Sequence, residues 1–95
     1  MPHKHLAIVI PVYHEGKIIA KVINSLPKRL PGISKISILV VNDGSTDNSA
    51  EQIKKTRATL ISHCVNLGYG GASCTGLEAA KKISADVAVT FDGDG

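Results

Sequence analysis

The chain has 95 residues, 43% hydrophobic and 20% charged, with a net charge of +3. That suits one small domain with a modest core and excludes wholesale disorder. No apolar run approaches the roughly 20 residues of a membrane-spanning helix, and MPHKHLAIVIPVYHEG lacks the small-residue cleavage site of a signal peptide.

The first apolar run, LAIVIPVY (Leu6 to Tyr13), and the next, ISILVVN (Ile36 to Asn42), are nearly continuous and rich in β-branched residues. This is the pattern of strands covered on both faces. Between them Ile18, Ile19, Val22, Ile23 and Leu26 recur at helical spacing, and Pro27, Pro31 and Gly32 block any continuation. After GSTD a second helix is expected, capped by Ser45 or Thr46, with Ala50 and Ile53 turned inward. A weak strand, TLISH (Thr59 to His63), precedes a third helix from about Gly71 to Ile83, with Ala72, Ala79, Ala80 and Ile83 on one side. The last run, DVAVTF (Asp86 to Phe91), reads as a fourth strand. Strands alternating with helices predict an α/β fold with a parallel sheet and right-handed crossovers, half of a doubly wound architecture.

Ligands of such sheets bind beyond the carboxyl ends of the strands. The polar residues gather at those ends: Tyr13-His14-Glu15, Asn42-Asp43-Gly44-Ser45, Asn66 onward, and Asp92 with Asp94. Four strand ends, distant in sequence, are thus expected on one rim.

Each motif on that rim has a chemical and a plain reading. In VNDGSTD, Asp43 can accept hydrogen bonds from a nucleobase imide or a ribose, or can simply end a strand with Gly44. Its alternating oxygens also suggest a calcium loop, but Asn48 stands at the sixth position and Lys54 at the twelfth, where such loops need Gly and Glu. NLGYGGASCTG (Asn66 to Gly76) could cradle phosphates with its backbone N–H groups, or let a helix approach the sheet. It lacks a strict GxGxxG, because Ser73 occupies the place of the third glycine. In FDGDG, Asp92 and Asp94 can share a divalent cation that holds a diphosphate, or form an acidic turn. A strand followed by DxDG also resembles the first motif of haloacid-dehalogenase-type phosphatases, with Asp92 as nucleophile, although that family places it near the start of its domain.

The remaining polar residues carry less. Residues 1–35 hold six Lys/Arg against Glu15 alone, and residues 36–95 hold five against seven acids. The basic half could attract phosphates or an anionic membrane surface, or be a solvated face. With Tyr13, Tyr69 and Phe91 the only aromatics and no Arg-rich run, nucleic-acid binding has little support. Cys64 and Cys74 have neither CxxC nor metal-ligand spacing and are expected to be reduced thiols of a cytosolic protein. His3 and His5 are expected to be solvated, and His14 to face solvent. His63 stands at a strand end with no visible metal partner.

Taken in order, IPVYHEG, VVNDGSTD, NLGYGGASCTG and FDGDG resemble the family 2 glycosyltransferases of the GT-A fold. The branch they look closest to holds dolichol-phosphate mannose synthase and the polyprenyl-phosphate glycosyltransferases. The resemblance spans essentially the whole chain, and it implies a Rossmann-like α/β/α half-domain whose sheet of about four strands runs 3-2-1-4. It implies a UDP- or GDP-linked sugar donor and a divalent metal, Mn²⁺ or Mg²⁺. By similarity Pro11, Val12, Tyr13 and Glu15 would line the base pocket, and Asp43 would bind the nucleobase. Gly71 and Asp92 would also meet the nucleotide, and Asp92 and Asp94 match the metal-binding DxD motif. The metal would neutralise the departing nucleoside diphosphate while an acceptor hydroxyl or phosphate attacks the anomeric carbon.

Two departures from the family pattern stand out. Many relatives carry Lys at the position of Tyr69 and Arg at that of Cys74, so two cationic contacts are missing here. What the family places after DxD, including the acceptor site and the catalytic base, also lies beyond Gly95, and the catalytic residues are unknown. The resemblance therefore implies the nucleotide-sugar-binding N-terminal part of an enzyme, cytoplasmic or peripheral at a membrane surface, inactive alone. The alternative is a non-catalytic nucleotide- or metal-binding module. An uncovered apolar edge at residues 86–91 is further expected to support self-association.

Overall fold

The most apolar segment of the chain becomes the centre of the sheet. In the computed structural model, which describes residues 4–13, 18–44, 48–63 and 68–91 apart from the side chain of Tyr69, β1 (Lys4–Val12) is buried from Leu6 through Val12. It lies between β2 (Ile33–Asp43) and β4 (Val87–Thr90), and β3 (Thr59–His63) flanks β2 on the far side. All three pairings are parallel and the order is β3-β2-β1-β4, as expected from the sequence.

Alternation along β1 sends side chains to two different layers. Leu6, Ile8, Ile10 and Val12 join Ile38 and Val40 of β2 on one face. Helices α1 (Ile19–Ser25) and α2 (Ser49–Lys54) close that face with Ile19, Ile23 and Ile53, all fully buried. Ala7, Val9 and Leu39 point the other way, towards α3 (Gly68–Lys82). On α3 the buried residues are Ala72, Gly76 and Ala80, a stripe at four-residue spacing. A side chain at Gly76 would overlap Val9 Cγ1 and come within 3.3 Å of Val41 Cγ2. The helix axis can lie this close to the strands only because that position has no Cβ.

Helix ends follow local chemistry. Leu26, which precedes Pro27, is extended at φ −72° and ψ 148°, the region a residue before proline favours. The Arg57 guanidinium donates to the Leu26 carbonyl at 2.8 Å and the Ile23 carbonyl at 3.4 Å, tying the α2–β3 connection to the end of α1. At the end of α3, Ser84 N–H bonds the Lys81 carbonyl at 3.0 Å and Ala85 N–H bonds the Ala80 carbonyl at 3.1 Å. This is a Schellman closure with Ser84, at φ +61°, in the place usually given to glycine.

Several local expectations are corrected. α3 begins at Gly68 rather than near Gly71, so Gly68 and Gly70 belong to the helix and not to a loop before it. Ile83 lies outside α3 and is 40% exposed, because the Schellman turn carries it off the buried stripe. In α2 Ser49, not Ala50, is buried beside Ile53. Asn48 stands at its N-cap position without a side-chain cap bond, and Ser45 and Thr46 lie outside the described residues. His5, expected to be solvated, bonds Ser37 Oγ through Nε2 at 2.7 Å. His5 and Asp86 also exchange two bonds, which pin the entry of β4 to β1: His5 N–H to Asp86 Oδ2 at 2.7 Å and Asp86 N–H to the His5 carbonyl at 2.8 Å. Among the described residues, no helix is long and apolar enough to cross a membrane.

Candidate functional site

Because every strand runs the same way, the carboxyl ends of β1, β2, β3 and β4 share one edge of the sheet. Register fixes which residues meet there. Val12 is level with Asn42 across the β1–β2 pair, and Asp43 is level with His63 across the β2–β3 pair. Pro11 and Val12 are buried at the end of β1, and Tyr13, just beyond, is 44% exposed. That exposure keeps the ring out of the core and at the rim. Phe91 leaves β4 with its N–H on the Val9 carbonyl at 2.8 Å, at the same edge of the sheet.

Asp43 is the centre of the described site. It is 3% exposed, and the bond from Gly44 N–H to the Asn42 carbonyl, 3.0 Å, folds the chain tightly around it. Its carboxylate accepts from two directions. Oδ1 lies 2.8 Å from His63 Nδ1, and Oδ2 accepts the Gly68 N–H at 2.8 Å. Gly68 has φ +83°, which an L side chain resists. That conformation starts α3 with its first N–H turned to the carboxylate, where the helix dipole also favours negative charge. Anchoring of this kind explains how a glycine-rich segment of low helix propensity forms the first turn of a helix.

The far side of His63 is held as well. Nε2 lies 2.9 Å from Thr75 Oγ1, and Thr75 Oγ1 is 3.1 Å from the Gly71 carbonyl. Asp43, His63 and Thr75 therefore line up from the end of β2, through β3, to α3, with the Gly71 carbonyl within reach of the same Thr75 hydroxyl. His63 and Thr75 were not legible as site residues; the available signals were that TLISH ends level with Asp43, and that Thr75 stands four residues after Gly71. Nearby on α3, Ser73 Oγ is buried without a hydrogen-bond partner among the described residues, and Cys74 is exposed and free.

Of the sequence-predicted site residues, Pro11, Val12, Tyr13, Asp43 and Gly71 stand at this edge. Glu15, Asp92 and Asp94 lie outside the described residues, as do His3, His14 and Cys64. Among the described residues, no group of three or more His, Cys, Asp or Glu is placed to hold a metal ion.

Comparison with known proteins gives the same direction. The sequence matches the family described as Glycosyl transferase family 2 over residues 7–95. It is 35% identical to the UDP-N-acetylglucosamine–dolichyl-phosphate N-acetylglucosaminyltransferase of Methanococcus voltae, covering 100% of this chain and 43% of that protein. It is 32% identical to the undecaprenyl-phosphate 4-deoxy-4-formamido-L-arabinose transferase of Salmonella choleraesuis, covering 98% and 30%. The chain thus spans less than half the length of either relative. A mannosyltransferase from Pyrobaculum calidifontis, solved with GDP-Man and Mn²⁺, superposes with a TM-score of 0.80 at 19% identity over 99% of this chain and 28% of its own, a likeness of fold alone. Glucosyl-3-phosphoglycerate synthase from Mycobacterium tuberculosis, solved with Mn²⁺, UDP and glucosyl-3-phosphoglycerate, gives 0.77 at 26% identity, over 95% of this chain and 33% of its own. The ordered motifs, the 3-2-1-4 parallel sheet and the family match agree: this chain belongs to glycosyl transferase family 2.

Proposed function

We propose that the carboxyl edge of the sheet binds the nucleoside diphosphate of a sugar donor. Pro11, Val12, Tyr13 and Glu15 form one side of the base site and Asp43 supplies an acceptor for a base N–H. The observation that carries this reading is the buried, doubly hydrogen-bonded carboxylate of Asp43 at the edge where β1, β2 and β3 end. Gly71 adds backbone polarity near the phosphates. A divalent cation, Mn²⁺ or Mg²⁺, would be held by Asp92 and Asp94, whose hard oxygen donors suit either ion. Such an ion supplies charge neutralisation for the leaving diphosphate. Support comes from the solved relatives, whose structures hold Mn²⁺ with GDP-Man or UDP.

Sugar transfer is proposed for the polypeptide at the length of its relatives, with residues 1–95 as the donor-binding part. The acceptor class proposed is a polyprenyl phosphate, because the two sequence relatives are named for dolichyl and undecaprenyl phosphate. A cytoplasmic position at the membrane surface that holds such a lipid belongs to the same proposal. So does self-association through residues 86–91. Val87, Val89 and Phe91 are exposed, and β4 pairs only with β1 among the described residues.

Calorimetric titration with UDP- and GDP-sugars, with and without Mn²⁺, tests the reading. One nucleotide class is expected to bind, and Mn²⁺ to tighten it. Binding indifferent to Mn²⁺ would remove the role given to Asp92 and Asp94, and absence of binding by both classes would remove the donor site.

A further inference from the structure

We infer that His63 is a positioning residue for nucleotide binding, its Nδ1–H fixing the Asp43 carboxylate while Thr75 fixes its ring. This rests on the reading of Asp43 as the base acceptor.

A carboxylate ion can only accept hydrogen bonds, so the ring proton facing Asp43 Oδ1 at 2.8 Å sits on Nδ1. The opposite nitrogen, Nε2, lies 2.9 Å from Thr75 Oγ1. The imidazole is therefore gripped at both nitrogens by groups on different elements, β2 and α3, and its plane cannot turn without breaking one of them. The side chain of His63 is 12% exposed and that of Asp43 5%, so water competes weakly for either bond. Gly68 N–H holds the second oxygen, Oδ2, at 2.8 Å. A donor on each oxygen sets the carboxylate plane.

The functional consequence is preorganisation. An acceptor already held in one orientation spends no further conformational freedom when a base docks, and a site tightens when its supporting contacts are themselves locked. Without His63 the same carboxylate loses the bond that holds Oδ1 against rotation about its Cβ–Cγ bond. The base class that such an acceptor recognises is one presenting an N–H on its edge, as uracil and guanine do.

His63→Asn and His63→Gln separate positioning from simple support of the fold. An Asn amide can reproduce the Nδ1–H but not the reach to Thr75, and a Gln amide reaches the Nε2 position but not Nδ1. Binding of UDP and GDP with Mn²⁺ is measured by calorimetry on the chain, its His63→Asn, His63→Gln and Asp43→Asn variants, with melting temperatures alongside. Asp43→Asn and His63→Gln are each expected to weaken binding about tenfold, the scale of one lost bond to a charged group. His63→Asn should stay within about threefold, although both His63 variants melt at similarly lowered temperatures. Equal weakening by Asn and Gln would overturn the positioning role.

Wild-type binding undisturbed by Asp43→Asn would overturn the base reading itself. If the wild type binds neither nucleotide, that reading also fails, and ¹H–¹⁵N imidazole spectra of the free chain decide the His63 contact separately. A slowly exchanging proton on His63 Nδ1 that is lost in Asp43→Asn supports the contact. An unprotonated Nδ1 overturns it.

Discussion

Asp43 and His63 face each other across the β2–β3 register, Oδ1 to Nδ1 at 2.8 Å, at the edge where every strand of the sheet ends. Removing the carboxylate takes an acceptor from two donors, His63 Nδ1–H and Gly68 N–H, in a part-buried place. Asp43→Ala is expected to lower unfolding free energy by about 1–3 kcal/mol, the scale of hydrogen bonds lost to a charged group. Urea denaturation measures it; a loss below about 0.5 kcal/mol, the range of an ordinary surface change, would mean that the carboxylate does not tie the elements together.

Gly76 is the closest approach of α3 to the sheet. Gly76→Ala should destabilise by about 1–3 kcal/mol through overpacking against Val9. The double variant Gly76→Ala with Val9→Ala should recover part of that loss, because the second change empties the space that the first invades. Strict additivity in urea midpoints would show that Val9 is not the obstacle.

Ser84 sits at φ +61° in the Schellman turn, exposed. Ser84→Gly relieves a left-handed conformation that costs an L residue about 1–2 kcal/mol, offset in part by the greater freedom of glycine in the unfolded chain. A net gain of about 0.5–1 kcal/mol is expected in thermal or urea unfolding. A loss would show that serine makes a contact worth more than the strain.

Much of this arrangement could be read from the residues before any coordinates. β-branched runs without alternation announced β1 and β2 as strands covered on both faces, and the turn residues after each announced the rim. The limits of α3 could not be read this way. Gly68 and Gly70 have poor helix propensity, and the bond that recruits Gly68 comes from Asp43, twenty-five residues earlier. The same holds for His63, whose meaning depends on a partner brought level by strand pairing, which no local spacing encodes. Gly76 was hidden for a third reason: Ala72 and Ala80 of its buried stripe are legible as apolar, but the glycine between them has no side chain to mark it.

The apolar stripe on β4 makes a measurable claim about assembly. Light scattering at increasing concentration should show species larger than a monomer, and Val89→Lys should return the chain to monomer, since a charge on an edge strand opposes pairing. A wild-type chain that stays monomeric throughout would end the self-association proposal.

The measurement that most directly tests the shared rim is a ¹H–¹⁵N spectrum recorded while UDP or GDP is added with Mg²⁺. The amides of Tyr13, Asp43, His63, Gly68 and Phe91, far apart along the chain, are expected to shift together at one ligand concentration. Shifts confined to the opposite ends of the strands, around Lys4, Ile33, Thr59 and Val87, would contradict a nucleotide site at their carboxyl edge.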